Sequence, residues 1–161
     1  DVMRPDGKYR TNDGQQKNTG VEWAFTGKLN KRLDLVGGLM YLNAEQAKTQ
    51  NGTNDGKPVS GTPKLSGTVG AVYHIDPAWS LIGRVSYLGN AKIKDEKLTV
   101  PSSWKFDLGA SYETKMGTTP VTLSLMCYNV TGRDYWVPVA GSDNLQLSAP
   151  RTFAFSANFE L

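Results

Sequence analysis

The residue types that could do acid–base chemistry are scattered along this chain and match no catalytic pattern. Six charged residues fall at alternate positions within otherwise apolar segments: Glu22, Lys28, Arg84, Lys105, Asp107 and Glu113. General acid–base catalysis needs such groups paired in a pocket, but their spacing supports neither a carboxylate pair nor a Ser/His/Asp group. No glycine-rich phosphate loop is present either. We therefore predict that the protein is not an enzyme and that these charges line a wall, hydrogen-bonded across strands.

Metal-ligating residues are equally sparse. Cys127 is the only cysteine and His74 the only histidine, so no intrachain disulfide and no multi-cysteine metal site can form. Cys127 alternates with Val121, Leu123 and Leu125, a pattern that predicts a small residue on the apolar face of a strand. We expect no bound metal and no cofactor.

The dominant pattern is an alternation of apolar and polar residues, which indicates β-strands with two different faces. In residues 151–161, Phe153, Phe155 and Phe159 share one face, while Ser156 and Asn158 share the other. About seven such segments are predicted, at 15–29, 33–46, 63–75, 79–92, 104–115, 120–131 and 152–161. Within the second segment, the pair at 37–38 (Gly-Gly) predicts a bend or bulge.

These strands have the character of a membrane barrel. A soluble sheet seldom ends in a strand with three exposed phenylalanines, because such an edge aggregates, whereas a barrel presents that face to lipid. Short turns alternate with long polar loops, and Tyr and Trp recur near the ends of the apolar faces. We predict an all-β fold: a segment of an antiparallel transmembrane β-barrel, a meander with short periplasmic turns and long extracellular loops.

Charge and hydropathy agree with this prediction. The 18 basic and 15 acidic residues give a net charge of +3 and are spread over turns and loops, so we expect no nucleic-acid partner. Mean hydropathy is −0.42, and no apolar run approaches the roughly 18 residues of a helical span. Barrel strands carry a much weaker hydropathy signal than helices do.

The strand count raises a difficulty. Single-chain bacterial barrels have an even number of strands and both termini on the periplasmic side, whereas the first predicted strand here runs from a long loop towards a short turn. Residues 1–14 read as a loop and are a poor candidate for an eighth strand. They also lack the character of a signal peptide. We therefore expect this chain to be the last third of something larger.

The final hairpin carries a family resemblance. Residues 128–136 (Y-N-V-T-G-R-D-Y-W) and 145–152 (L-Q-L-S-A-P-R-T) resemble the C-terminal end of TonB-dependent ferric-siderophore receptors. Residues 12–22 and 61–64 resemble strand entries of the same family. The resemblance implies that residues 1–161 are the C-terminal portion of a 22-stranded barrel of the Gram-negative outer membrane. Leu161 departs from the family, which usually ends in Phe or Trp.

The same resemblance implies the partners. They would be outer-membrane lipid, a ferric siderophore as transported ligand rather than cofactor, and the remaining strands and plug of the parent receptor. The plug domain and the TonB box are absent from this chain, so TonB would act only through the missing N-terminal part. The function implied is iron uptake energised by TonB, with this segment forming barrel wall and extracellular loops.

Siderophore contacts would come from residues near the outer opening. Aromatic rings suit the flat faces of siderophores, and a basic group would pair with a typically anionic complex. On this basis Arg133, Tyr135 and Trp136, together with Tyr9, are the candidate ligand-binding residues. Packing of the loop stem is the alternative role for Tyr135 and Trp136.

Two other functions remain open from the sequence. One is a small self-contained outer-membrane barrel of eight strands with a structural or adhesive role, although abundant Gly and Ser would underfill its lumen. The other is a soluble lipocalin-like binder, which would turn the apolar alternation inward and leave the outer aromatic rings unexplained.

Overall fold

The computed structural model describes the backbone of residues 2–3 and 10–11 and all of residues 13–160. Tyr9, a predicted ligand-binding residue, and Leu161, the last residue of the chain, lie outside the described residues. Within this part of the chain, no helix is long and apolar enough to cross a bilayer.

The described residues form thirteen β-strands and one short 3-10 helix. The strands are β1 (Val2–Met3), β2 (Arg10–Thr11), β3 (Gln15–Asn30), β4 (Leu33–Lys48), β5 (Leu65–His74), β6 (Trp79–Leu88), β7 (Ala91–Ile93), β8 (Leu98–Val100), β9 (Ser103–Met116), β10 (Thr119–Tyr128), β11 (Trp136–Pro138), β12 (Leu145–Leu147) and β13 (Thr152–Phe159). The 3-10 helix, Gln50–Gly52, lies in the first long loop. The predicted all-β fold is confirmed.

Seven long strands form one antiparallel sheet in the order β3-β4-β5-β6-β9-β10-β13. Each strand pairs with its neighbours along the chain, so the sheet is a meander, as predicted. The short strands form three separate hairpins, β1–β2, β7–β8 and β11–β12. Among the described residues, β3 and β13 each pair along one edge only, so the sheet is open.

The register places apolar residues on one face of the sheet, called here the apolar face. Trp79 pairs with Tyr112, and Tyr87 with Trp104, and both pairs have ring centroids 4.6 Å apart. The two ring pairs lie at opposite ends of the strands, as expected for two aromatic girdles. Cys127 pairs with Leu108 and with Phe153 on this face, which confirms its predicted position.

The opposite face, called here the polar face, carries the charges and hydroxyl groups. Ser80, Ser111, Ser124 and Ser156 are successive Cα partners across four strands. Arg84 and Asp107 are partners nearer the long loops. The polar face is the surface on which a ligand or partner inside a barrel would lie.

Of the bend or bulge predicted at residues 37–38, the bulge is wrong and the bend stays a prediction. Pairing runs without a shift from Gly37 through Gly38 on both edges of β4, and the irregularities lie at Gln15/Gln16 and Lys28/Asn30 of β3 instead. Gly37 is the Cα partner of Phe25, and a Cβ there would lie 2.7 Å from Phe25 Cζ. The same Cβ would lie 2.8 Å from the backbone carbonyl oxygen of Thr68, which cannot move aside as a side chain can, so the two contacts together require glycine.

The three long loops are more ordered than their composition predicts. The second loop contains hairpin β7–β8 and the third contains β11–β12. Val59 of the first loop is buried, as are Ala91, Ile93 and Val100 of the second. We call the assembly of residues 49–64, 89–102 and 129–151 the loop lobe. It is a small packed unit at the long-loop end of the sheet.

Candidate ligand site at the long-loop end

A charge cluster marks the long-loop end of the polar face. The Asp107 side chain is completely buried. Its Oδ2 accepts a hydrogen bond from Arg84 Nε at 2.8 Å. The same oxygen forms ion pairs with Arg84 Nη2 at 2.7 Å and Lys105 Nζ at 3.5 Å. The predicted wall charges Arg84 and Asp107 are thus hydrogen-bonded across strands β6 and β9, whereas Lys105 contacts Asp107 along the same strand. The Arg84 guanidinium also lies 5.8 Å from the ring centre of Tyr128.

Asn129 joins this cluster to the third long loop. Its backbone N–H donates to Asp107 Oδ1 at 2.9 Å, and its side-chain Nδ2 donates to the carbonyl oxygens of Arg133 and Ala149, both at 3.0 Å. Asn129 is 1 % exposed and has a left-handed φ of 50°, which asparagine tolerates better than most residues. One residue therefore ties both ends of the loop to the wall.

Hairpin β11–β12 lies over the polar face and leaves a cavity of about 520 Å³ beneath it. Tyr135 and Val137 of the hairpin line the cavity on one side. The sheet contributes the other side, with Glu22, Met40, Ser66, Thr68, Ser86, Leu88, Ser103 and Lys105. The lining thus includes two tyrosines (Tyr87 and Tyr135), one ammonium group, one carboxylate and several hydroxyls on a partly apolar surface, a combination suited to a small organic ligand with polar and apolar parts.

Tyr135 is fixed by its neighbour across the hairpin. Its N–H donates to Ser148 Oγ at 3.1 Å, and the Ser148 N–H donates to the Tyr135 carbonyl at 2.9 Å. Burial raises the pKa of the Tyr135 phenol above its ordinary value, and the negative charge of Asp107 adds to this effect. The phenol is therefore neutral at physiological pH and can donate a hydrogen bond.

The structure places the predicted ligand-binding residues in different surroundings. Tyr135 lines the cavity, whereas the Trp136 side chain is 54 % exposed and pairs with Leu147 across the hairpin. Because side chains alternate along a strand, Trp136 faces away from the cavity. Arg133 is exposed, and its carbonyl accepts the Asn129 hydrogen bond. A ligand role for these three residues and for Tyr9 stays a prediction.

Sequence reasoning did not assign Lys105 and Ser86 to a ligand site. Both lie on the polar face of their strands, and they are Cα partners. The strand alternation placed Lys105 on that face correctly, but nothing in the sequence showed which part of the face the third loop would cover. Lys105 and Ser86 could be assigned to a site only once the position of the third loop over the sheet was known.

One Ser/His/Asp group does exist, contrary to the expectation from spacing. His74 Nε2 lies 3.0 Å from Asp34 Oδ2, and His74 Nδ1 lies 2.9 Å from Ser80 Oγ. The three residues lie on β4, β5 and β6 near the short turns, and sheet pairing rather than sequence spacing brings them together. Ser80 is only 7 % exposed. We interpret the group as a structural hydrogen-bond network that links strands β4, β5 and β6.

Within the loop lobe, Asp143 connects the three loops. Its Oδ1 accepts a short hydrogen bond from Ser60 Oγ in the first loop and another, at 2.7 Å, from the Lys94 N–H in the second. Gly141 N–H also donates to the Ser60 carbonyl at 2.8 Å. A side chain on Gly61, whose φ is +68°, would collide with the carbonyl of Val139. The loops above the cavity are therefore held together by specific contacts.

Comparison with known proteins agrees with this architecture. A family model described as TonB dependent receptor-like, beta-barrel, matches residues 2–130. The metal-pseudopaline receptor CntO of Pseudomonas aeruginosa is 27% identical over 154 residues, which cover 87% of this chain and 21% of that protein. The chain therefore spans about a fifth of the length of the curated relatives it matches.

Solved structures show the same fold. BauA, the ferric preacinetobactin receptor of Acinetobacter baumannii, is 35% identical with a TM-score of 0.83, over 92% of this chain and 23% of that one. Fiu, the ferric-catecholate import receptor of Escherichia coli K12, is 21% identical with a TM-score of 0.71, over 97% of this chain and 22% of that one. At 21% identity, the similarity to Fiu shows a shared fold and nothing more. The chain belongs to the TonB-dependent receptor family, as part of its β-barrel in the outer membrane of Gram-negative bacteria.

Proposed function

We propose that this chain is the C-terminal wall-and-loop portion of a receptor that imports ferric siderophores. The observation that carries the proposal is the cavity of about 520 Å³ beneath hairpin β11–β12, lined by Tyr135 and Lys105. It opens on the face that would be the barrel interior and at the end that would face the outside. That is the position where an arriving ligand would first meet the wall.

The cavity offers an anionic iron chelate one ammonium group, from Lys105, together with the carboxylate of Glu22, which would meet a hydrogen-bond donor of the ligand. The Lys105 ammonium would pair with the charge of the complex, and the neutral Tyr135 phenol would donate to a ligand oxygen or stack on a flat chelating group. Lys105 is 3.5 Å from Asp107, which Arg84 already pairs. A ligand could therefore recruit Lys105 without leaving Asp107 uncompensated.

The rest of the parent receptor would complete the machinery. The open edges of β3 and β13 need further strands, since unpaired backbone groups are very costly in lipid. A plug would fill the lumen against the polar face, and TonB would act through sequence outside this chain. The ferric siderophore would be the transported ligand rather than a resident cofactor. This segment would form part of a transport channel rather than an active site.

Ligand binding to the whole receptor tests the cavity. We expect Lys105→Gln and Tyr135→Ala each to weaken binding of a ferric siderophore by about ten-fold, equivalent to about 1.4 kcal/mol. Lys28→Gln is the matched control, because Lys28 lies on the same face at the far end of β3. An equal loss in the control, or no loss in either cavity variant, would contradict the site. A panel of ferric catecholates, hydroxamates and preacinetobactin would identify the class.

The intact mass of the native protein separates this proposal from a small barrel. Membership of a family whose matched members are about five times longer supports a large receptor. We therefore expect the protein extracted from outer membranes to have several times the 17.6 kDa of this chain. A native mass near 17.6 kDa would contradict the receptor and leave the eight-stranded alternative.

A further inference from the structure

The charges that line the cavity beneath hairpin β11–β12 lie at opposite ends of it. Among the described lining residues, Glu22 of β3 and Lys105 of β9 are the two that carry charge. Strands β4, β5 and β6 lie between β3 and β9 in the sheet. Four interstrand spacings therefore separate the two residues, roughly 19 Å measured along the sheet. The Glu22 carboxylate and the Lys105 ammonium group are too far apart to neutralise each other.

Lys105 belongs to the end of the cavity at which Tyr135 lies. Its ammonium nitrogen is 3.5 Å from Asp107 Oδ2. Burial and, as a smaller contribution, the negative charge of Asp107 raise the pKa of the Tyr135 phenol, so Asp107 is close to both side chains. This end presents two hydrogen-bond donors, an ammonium group and a neutral phenol. Oxygen atoms of an iron chelate would accept from both.

Glu22 presents the opposite chemistry at the far end. Its Cα partner on β4 is Met40, and the partner of Met40 on β5 is Ser66, so its neighbours across these two strands are uncharged. Within the described residues Glu22 forms no ion pair, in contrast to Asp107, which Arg84 pairs. An ionised carboxylate only accepts hydrogen bonds. This end therefore favours a cationic nitrogen.

The floor between the two ends carries no charge and mixes hydroxyl with apolar groups. Its side chains belong to Met40, Ser66, Thr68, Ser86, Leu88 and Ser103. Ser66, Leu88 and Ser103 are successive Cα partners across β5, β6 and β9, and they continue the row that begins with Glu22. A single elongated ligand lying along this row would contact both charged ends.

We propose that the cavity selects a chelate with two chemically different ends, and that Glu22 is a specificity-determining residue. The iron-chelating end lies against Lys105 and Tyr135, and an arm that carries a protonated amine extends along the floor to the Glu22 carboxylate. This assignment rests on the proposed function, because it names the class of ferric siderophore that the cavity takes. A chelate without the cationic arm leaves the Glu22 carboxylate facing an uncharged or like-charged group, which disfavours it.

Binding of matched chelates to the whole receptor tests the role of Glu22. The probes are a synthetic ferric catecholate and a synthetic ferric hydroxamate, each with a pendant primary amine that is either free or acetylated. We expect a preference of about ten-fold for the free amine, and Glu22→Gln should reduce it to less than about two-fold. Glu22→Lys should reverse it. Glu113→Gln is the matched control, because the exposed Glu113 lies on the polar face near the short turns and the substitution removes the same charge.

A third substitution separates this assignment from the proposed function. Lys105→Gln should weaken binding of the free and acetylated forms equally and leave the preference intact. If it does so while Glu22→Gln also leaves the preference intact, the receptor function stands and the role of Glu22 is overturned. An equal loss of preference in Glu113→Gln would overturn it too, since the overall charge of the polar face would then be the cause. If no probe binds, the proposed function fails and the role of Glu22 fails with it.

Thermal unfolding of the receptor distinguishes a structural role for Glu22. We expect Glu22→Gln to leave the unfolding temperature unchanged. A lower unfolding temperature together with an unchanged ligand preference would mean that Glu22 pairs with a strand outside this chain, and it would overturn the assignment to the ligand.

Discussion

The backbone N–H of Asn129 donates to the carboxylate of Asp107 at 2.9 Å, although Asn129 begins the last long loop and Asp107 lies within a wall strand. The same carboxylate holds Arg84 through its other oxygen. Because Asp107 is completely buried and Asn129 is 1 % exposed, water does not compete for the bond between them. The position of the loop over the cavity is thereby tied to the charge pair of the wall.

Removing the Asn129 side chain should release the loop. In Asn129→Ala the carbonyl oxygens of Arg133 and Ala149 lose their donor, and alanine is also strained at a φ of 50°. We expect the loop to be less stable by about 1–3 kcal/mol. Hydrogen exchange of the amides in residues 133–149 would show this as faster exchange.

The variant Asn129→Gly separates the two causes. Glycine adopts a positive φ without strain but cannot make the side-chain hydrogen bonds. If the bonds position the loop, Asn129→Gly will exchange nearly as fast as Asn129→Ala. Exchange at the wild-type rate in the glycine variant would show that only the backbone conformation matters.

Neutralising Asp107 should destabilise the wall. Asp107→Asn keeps the size of the side chain but removes the charge that Arg84 and Lys105 share. Loss of one partner of a buried pair typically costs about 3–5 kcal/mol; we expect about 2–4 kcal/mol here because Arg84 is partly exposed. Urea unfolding of the receptor in lipid measures this. Glu113→Gln, on the same strand and exposed, should change the free energy of unfolding by less than about 0.5 kcal/mol.

The two faces of the seven-stranded sheet could be predicted from the sequence because side chains alternate along a strand with a period of two. Once Phe153 or Trp104 is placed on the apolar face, every second residue of that strand follows, and the register of a meander with short turns is nearly fixed. The faces of Cys127, Arg84 and Asp107 were therefore predicted correctly. The bulge at Gly37 was predicted wrongly because the glycine is required by Phe25 and the Thr68 carbonyl on the two neighbouring strands, which do not show in the local sequence.

The loop lobe was not predictable in the same way. Ser60 and Asp143 are 83 residues apart, and loops rich in Gly, Asn and Asp have no periodicity that would pair them. The cavity depends on where hairpin β11–β12 lies, so Lys105 could be assigned to a face but not to a site. The His74–Asp34–Ser80 group was missed because sheet pairing, rather than spacing, brings its members together.

A matched glycine pair tests the packing of Phe25. Gly37→Ala would bring a Cβ to 2.7 Å from Phe25 Cζ and 2.8 Å from the Thr68 carbonyl, whereas a Cβ on Gly27 meets nothing within 4 Å. We expect Gly37→Ala to lower the free energy of unfolding by about 1–3 kcal/mol. Gly27→Ala should be neutral or slightly stabilising, since it restricts the unfolded chain. Equal effects of the two substitutions would contradict the packing argument.

The loop lobe should loosen at acidic pH. The hydrogen bond from Ser60 Oγ, followed by that from the Lys94 N–H, holds the pKa of Asp143 below its ordinary value of 3.8. A carboxyl group whose pKa is depressed in the folded state stabilises that state above its unfolded pKa, and this contribution is lost as the pH falls through the folded pKa. The ties among the three loops should therefore be complete at neutral pH and should weaken below about pH 4.

Spin labels at Thr53→Cys and Asn144→Cys, introduced together with Cys127→Ser, would report the separation of the first and third loops. We expect a narrow distance distribution at pH 7 that broadens below about pH 4. Asp143→Asn should broaden it at every pH, because the amide carries no charge to strengthen either hydrogen bond. Asp134→Asn, an exposed carboxylate of the same loop, serves as the control and should behave like the unsubstituted protein. A distribution that stays narrow in Asp143→Asn would mean that the apolar contacts of Val59 and Ile93, rather than Asp143, hold the lobe together.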